Sequence, residues 1–287
     1  MLSAVVSSAR ERGEEAVVVT FWPHPRTVLQ QDAREFRILT SLEEKKALLL
    51  AAGIDRVEVI PFTREFVAMK ADEYLQLLAD KYGASLVVMG YDNRIGSDKL
   101  TAEEIGISQA VAPRPLPTSL RSVGPLPFTW PRAAMVSEDS NAPVISSTKI
   151  RKALQEGRVE EANGMLGYRY GLYGVVVAGN QMGRTMGFPT ANMQLYEPLK
   201  LVPANGVYAV EAEVLGTTYK GMCNIGMRPT VGGASRTIET HILDFDQDIY
   251  GLPLRIRFLR RIRDERKFPS LEALREQLTL DALNCKK

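Results

Sequence analysis

The chain reads as two domains of different class: a parallel α/β sheet over roughly its first half, then an antiparallel β-barrel or sandwich closed by a helix. Three observations carry this expectation. Strand and helix patterns alternate at roughly 30-residue intervals up to Met89, as parallel βαβ units do. From Tyr170 onward the pattern changes to short apolar or alternating runs, punctuated by Asn205-Gly206 and Gly216. The 287 residues are enough for two separate cores.

Taken in order, residues 2–12 carry a helical pattern stopped by Gly13, and 16–21 form an apolar strand. Ser41 and Glu44 stand in a capping-box pattern that opens a helix running to Gly53. Residues 56–60 read as a strand, 71–82 as a helix closed by Gly83, and 85–89 as another buried strand. Ligands on parallel sheets sit beyond the carboxyl ends of the strands, where Pro23-His-Pro25 and Gly90-Tyr-Asp92 fall. Residues 113–131 hold six prolines and no clear period, which blocks both helix and ladder. Residues 148–156 and 159–166 read as two short helices joined at Gly157, a bridge between the domains. Strands are expected at 172–178, 207–214, 218–225, 236–243 and 254–259, and a last helix from Ser270 to about Leu278.

Composition excludes several classes. With 45% hydrophobic and 24% charged residues the chain is globular, and a formal charge of +2 gives no basic surface for nucleic acid or membrane. The two cysteines cannot make a disulfide framework, fit no metal-ligand spacing, and Cys223 reads as a small core residue. No run of 18 apolar residues and no signal-peptide pattern is present, so the expected compartment is the cytoplasm. The basic run from Arg255 to Lys267 alternates with Ile256, Phe258 and Ile262, which fits a strand with a solvated face better than a nucleic-acid patch.

The stretch with most chemistry in it is Gly183-Arg-Thr-Met-Gly-Phe-Pro-Thr-Ala-Asn192, reached through Gly179-Asn-Gln-Met. Glycines let backbone N–H groups approach a phosphate, because no Cβ stands in the way. The Thr190 hydroxyl and the Asn192 amide oxygen are hard neutral ligands, suited to Mg²⁺ that arrives on nucleotide phosphates. The spacing matches neither the dinucleotide fingerprint nor the Walker loop, so a plain β-turn and a phosphate loop both stay open on these residues alone.

That stretch resembles the flavokinase signature of the bacterial bifunctional riboflavin kinase/FAD synthetase family. Other segments match in order: Thr20-Phe-Trp-Pro-His-Pro25, Ser146-Ser-Thr-Lys-Ile-Arg151, Asn224-Ile-Gly-Met-Arg-Pro-Thr230, Thr237-Ile-Glu-Thr-His241 and Leu243-Asp-Phe245. The resemblance implies a nucleotidylyltransferase-like (Rossmann-like) FMN adenylyltransferase domain over 1–145 and a helical linker over 146–168. A six-stranded Greek-key riboflavin kinase barrel with a carboxy-terminal helix would follow over 169–287. The implied reactions are phosphorylation of riboflavin to FMN by ATP with Mg²⁺, and adenylylation of FMN to FAD. The partners would be small molecules only, with the oligomeric state left open.

The same resemblance assigns roles. Glu239 would be the general base; alternation puts it with Thr237 and His241 on one strand face, opposite Ile238 and Ile242. Thr190 and Asn192 would hold Mg²⁺–nucleotide, and Gly179, Gly183 and Gly187 would let the loop close over phosphates. Arg184 is either a phosphate contact or an exposed loop arginine. Asn224 to Thr230 reads as a second loop near the site. In the adenylyltransferase domain, His24 matches a family histidine near the phosphates. Ser146, Ser147 and Arg151 match a motif holding triphosphate oxygens, while either serine is also a helix cap.

Two departures bear on the second activity. The family opens with a central strand leading to a Gly-x-Phe-Asp-Gly-Val-His-x-Gly-His motif, whereas this chain has only the 2 histidines His24 and His241. Met1 aligns just past that motif, so the amino terminus reads as truncated, with unpaired edges and apolar faces expected. After Gly90 the family's Phe-Gly-x-x-Arg-x-Gly pattern is replaced by Asn93-Arg-Ile-Gly-Ser-Asp-Lys-Leu100. Adenylyl transfer is therefore expected to be weak or absent. The alternatives are a fully bifunctional enzyme and a non-catalytic flavin- or nucleic-acid-binding module; Glu239, Thr190 and Asn192 together speak against the latter.

Overall fold

The computed structural model describes residues 2–29, 36–89, 93–101, 104–105, 145–179, 182–230 and 233–286. They divide into two compact units, Met1–Phe36 with Leu42–Ala142, and Arg37–Ser41 with Pro143–Lys287. The proline-rich stretch 113–131 and the Gly90-Tyr-Asp92 strand end lie outside the described residues.

In the first unit, helix α1 (Leu2–Arg12) ends where expected, at Gly13 with φ +66°. Strands β1 (Val17–Trp22) and β2 (Arg56–Pro61) pair in parallel, from Val17 opposite Arg56 to Trp22 opposite Pro61. Helix α1 covers them because Leu2, Val5 and Ala9 recur at helical spacing and meet Ala16 and Ile54 in one apolar cluster. Short helix α2 (Pro25–Leu29) follows β1, α3 (Leu42–Ala51) precedes β2, and α4 (Arg64–Ala68) follows it. Helix α5 (Ala71–Tyr82) keeps its expected bounds, since Gly83 takes the left-handed conformation and its N–H donates to Ala79 O.

Residues 85–89 differ from expectation: they form no strand. A strand needs a neighbour, and among the described residues the sheet holds only β1 and β2. A largely apolar cavity of about 990 Å³ opens beside β1. Val17, Val19 and Phe21 line it together with residues 86–89, and Leu2, Val5 and Leu78 extend its walls. Among the described residues β1 pairs with β2 alone.

The second unit is a closed antiparallel barrel. Its strands are β3 (Gly171–Val177), β4 (Ala191–Leu195), β5 (Gly206–Val214), β6 (Thr217–Thr230), β7 (Gly233–Ile242) and β8 (Pro253–Arg263), in the order β3-β4-β7-β6-β5-β8. Strands β5, β6 and β7 form a meander, and β8 returns to lie between β5 and β3, a Greek-key path. Leu215 (φ +51°) and Gly216 (φ +74°) make the two-residue turn of the β5–β6 hairpin. Inward residues alternate along each strand, with Val210, Cys223, Ile225, Ile256 and Phe258 wholly buried. Burial pushes the Cys223 thiol up to about 12, so it stays protonated as a small apolar side chain.

Helices α6 (Ser147–Gln155) and α7 (Val159–Leu166) put Leu154, Val159 and Ala162 into that same core. The short segment Arg37–Ser41 also belongs here. Ile38 N–H donates to Leu199 O and Ile38 O accepts from Leu201 N–H, both at 2.9 Å, while Lys200 Nζ donates to Leu39 O at 2.7 Å. Helix α9 (Leu271–Lys286) runs past the expected end near Leu278. Its tail is held by Ala282 and Cys285 in an outer apolar cluster and by wholly buried Asp281, paired with Arg263 at 2.8 Å.

Candidate functional site

Three neighbouring strands bring polar side chains into one row. Asn192 on β4 lies opposite Glu239 on β7, and Glu239 lies opposite Asn224 on β6. Ile238, Thr240 and Ile242 are buried, so the two-residue period turns Glu239 and His241 to the outer face. The Thr190 hydroxyl, one residue ahead of β4, donates to Glu239 Oε2 at 3.4 Å. The three residues expected to work together are thus side by side. Asn224 was anticipated in a loop; the structure makes 224–230 part of the β6–β7 ladder. Only the register shows that Asn224 flanks Glu239, and no spacing in the sequence carries that signal.

The glycine-rich approach is shaped by close contacts. A Cβ on Gly179 would sit 2.1 Å from Asn192 Nδ2, so the bare backbone is what lets the carboxamide lie there. The Gly183 carbonyl accepts from Met186 and Phe188 N–H at 3.1 and 2.8 Å, closing the turn after the one-turn helix α8 (Met182–Thr185). Gly187 has φ +83°, a conformation other side chains rarely adopt. Exposed Arg184 joins Thr190, Thr240, Asp246, Asp248 and Tyr250 around a cavity of about 280 Å³. Arg184 and Thr190 therefore face one space.

The other candidates belong to other elements. His24, between β1 and α2 in the first unit, accepts from Arg26 N–H at Nδ1 (3.2 Å), so Nε2 carries its proton. Its ring packs on Phe36 with centroids 4.7 Å apart. Ser146, in the second unit, caps α6 by accepting from Lys149 N–H at 3.3 Å, and Ser147 is the exposed first residue of that helix. Arg151 Nε donates to Arg37 O at 3.0 Å. Within the second unit, then, Ser146 has the capping role and Arg151 holds the 37–41 segment. The β8 arginines likewise have internal partners: Arg257 meets Glu213, Arg263 meets Asp281, and Arg255 lies over the Tyr173 ring.

A carboxylate beside a neutral hydroxyl and a carboxamide, on a barrel wall reached through a glycine turn, suits phosphoryl transfer to an alcohol. The class of protein this defines is a small-molecule phosphotransferase built on a Greek-key barrel. Comparison with known proteins is specific. The riboflavin kinase (Flavokinase) family matches residues 166–287, and the FAD synthetase family matches residues 1–110. The bifunctional riboflavin kinase/FMN adenylyltransferase of Bacillus subtilis (strain 168) is 35% identical over 277 residues, covering 95% of this chain and 82% of that protein. Its counterpart in Escherichia coli (strain K12) is 31% identical over 292 residues, covering 100% and 86%. A crystal structure described as a macrolide-efflux protein from Streptococcus pneumoniae has a TM-score of 0.83 at 31% identity, covering 100% of this chain and 88% of that one. The chain belongs to the bifunctional riboflavin kinase/FMN adenylyltransferase family. Among its described residues no helix is long and apolar enough to cross a membrane.

Proposed function

We propose that the barrel unit phosphorylates riboflavin on its 5′-hydroxyl with ATP, giving FMN and ADP. The observation that carries this reading is the contact between Thr190 and Glu239, with Asn192 and Asn224 on either side of the carboxylate. An alcohol is a weak nucleophile near neutral pH, and a fixed carboxylate can take its proton as attack proceeds. In this scheme the 5′-oxygen bonds to the γ-phosphorus, its proton passes to Glu239, and the bond to the β–γ bridging oxygen breaks. Arg184, at the shared cavity, would face phosphate charge.

Thr190 and Asn192 fit Mg²⁺ brought in by a nucleotide. Among the described residues no group of three or more His, Cys, Asp or Glu could hold a metal by itself. Neutral oxygens are what an ion already charge-matched by phosphates needs. The two residues would hold the ion, which when bound offsets charge on the phosphate oxygens. Dependence on ATP places the proposed activity in the cytoplasm. The FAD synthetase family matches residues 1–110, so adenylylation of FMN is the second activity to test in the same protein.

The test is product analysis after incubating the chain with riboflavin, ATP and Mg²⁺, and separately with FMN, ATP and Mg²⁺. FMN from the first reaction is the expected result. No FMN would overturn the kinase reading, and FAD from the second reaction would assign adenylyl transfer to the first unit. Thr190→Ala with Asn192→Ala should weaken Mg²⁺–ATP binding, measured by calorimetry; unaltered affinity would remove the pair from the metal site.

A further inference from the structure

His241 lies two residues beyond Glu239 on β7, on the same outward face. Its Nδ1 is 2.8 Å from the carbonyl oxygen of Pro189, the residue before Thr190. A carbonyl can only accept, so Nδ1 carries a proton and donates. The ring also meets Phe188 edge-on, with centroids 5.2 Å apart at 70°. Phe188 in turn packs on the outer cluster containing Met222, Leu243 and Cys285. The turn's own hydrogen bonds, from Met186 and Phe188 N–H to Gly183 O, close back on the turn and do not reach β7.

We infer that His241 is a positioning residue: its Nδ1–H, held on Pro189 O, fixes Thr190 in register with Glu239. The inference rests on the kinase reading above, because it gives the pair Thr190–Glu239 something to be aligned for. The geometry explains why a ring is useful here. One edge donates to the backbone ahead of Thr190, and the Phe188 contact holds the ring in the orientation that keeps the donor aimed. Without the donor, Pro189 O on this exposed turn can take water instead, so the fold survives while the register loosens.

Side-chain stereochemistry supplies the test. Asparagine can place its Nδ2–H near the position of the histidine Nδ1–H, whereas glutamine reaches toward the Nε2 position. His241→Gln should raise KM for Mg²⁺–ATP roughly five- to tenfold, the weight of one hydrogen bond. KM for riboflavin should stay near wild type, and His241→Asn should restore most of the loss. A merely structural histidine would show equal losses in both variants, and that result, or unchanged KM in both, overturns the inference. Backbone amide exchange over residues 186–191 gives a readout that needs no turnover. Exchange there should quicken in His241→Gln and not in His241→Asn. If the wild type makes no FMN the kinase reading fails by itself, while equal exchange in all three proteins sinks the positioning role.

Discussion

The Thr190 hydroxyl donates to the Glu239 carboxylate across 3.4 Å, joining the end of the glycine turn to the neighbouring strand of the barrel. If Glu239 is the base, Glu239→Gln keeps size and shape but cannot accept the proton. The expected loss in kcat is at least about 100-fold, with KM for riboflavin little changed. Steady-state FMN formation checks this, and an unaltered kcat would take Glu239 out of the proton transfer.

Gly179 tests the close approach over Asn192. The added methyl of Gly179→Ala would arrive 2.1 Å from Asn192 Nδ2, so the carboxamide must swing away. The expected outcome is a loss of about 1–3 kcal/mol in stability and weaker Mg²⁺–ATP binding. Pairing the change with Asn192→Ala should make the two effects less than additive. Full additivity in a urea and calorimetry series would show that the two residues act separately.

Asp281 anchors the last helix. It is wholly buried, accepts from Arg263 Nε at 2.8 Å and from Gln277 Nε2 at 2.7 Å. Asp281→Ala leaves the Arg263 guanidinium without its counter-charge, and removing one partner of a buried pair costs about 3–5 kcal/mol. Urea unfolding followed by circular dichroism reads this directly. A loss below about 1 kcal/mol, the value of an exposed pair, would place the anchor elsewhere.

Asp55 gives the first unit an acid limit. Two hydrogen bonds from Arg10, with a third from Ala16 N–H, hold its carboxyl at about 2, below its ordinary 3.8. A folded-state value below the unfolded one means the contribution is complete above 3.8 and is lost as pH falls through about 2. The urea midpoint of the first unit should therefore drop between those values, and Asp55→Asn should flatten that drop. Identical pH profiles for the two proteins would show that other carboxylates govern acid unfolding.

Where one residue set both pattern and boundary, the sequence was readable. Helix α5 shows an apolar face every three or four residues and a glycine able to take positive φ, so both of its ends were visible. Strand β4 was hidden, because Thr190 and Asn192 drew attention as ligands and its five residues, 191–195, are too few for a clear alternation. The stretch 224–230 contains Gly226 and Pro229, local signals for a turn, yet pairing with β7 overrides them. The tail of α9 depends on Arg263, 18 residues from Asp281, a contact no local pattern encodes. Residues 85–89 failed for the opposite reason: their pattern is that of a strand, and what is lacking among the described residues is a partner. Glu239 was legible through its motif, whereas its neighbours Asn192 and Asn224 needed the barrel register.

A closed barrel offers no place to add a strand; a sheet with a bare side does. Beside β1 lie about 990 Å³ of apolar space. With a rise of roughly 3.3 Å, strands about 4.8 Å apart and layers about 10 Å apart, that is room for some six residues of extended chain. Among the described residues the strand with an unpaired side next to that space is Val17–Trp22, and a short apolar peptide added in trans is expected to bind there.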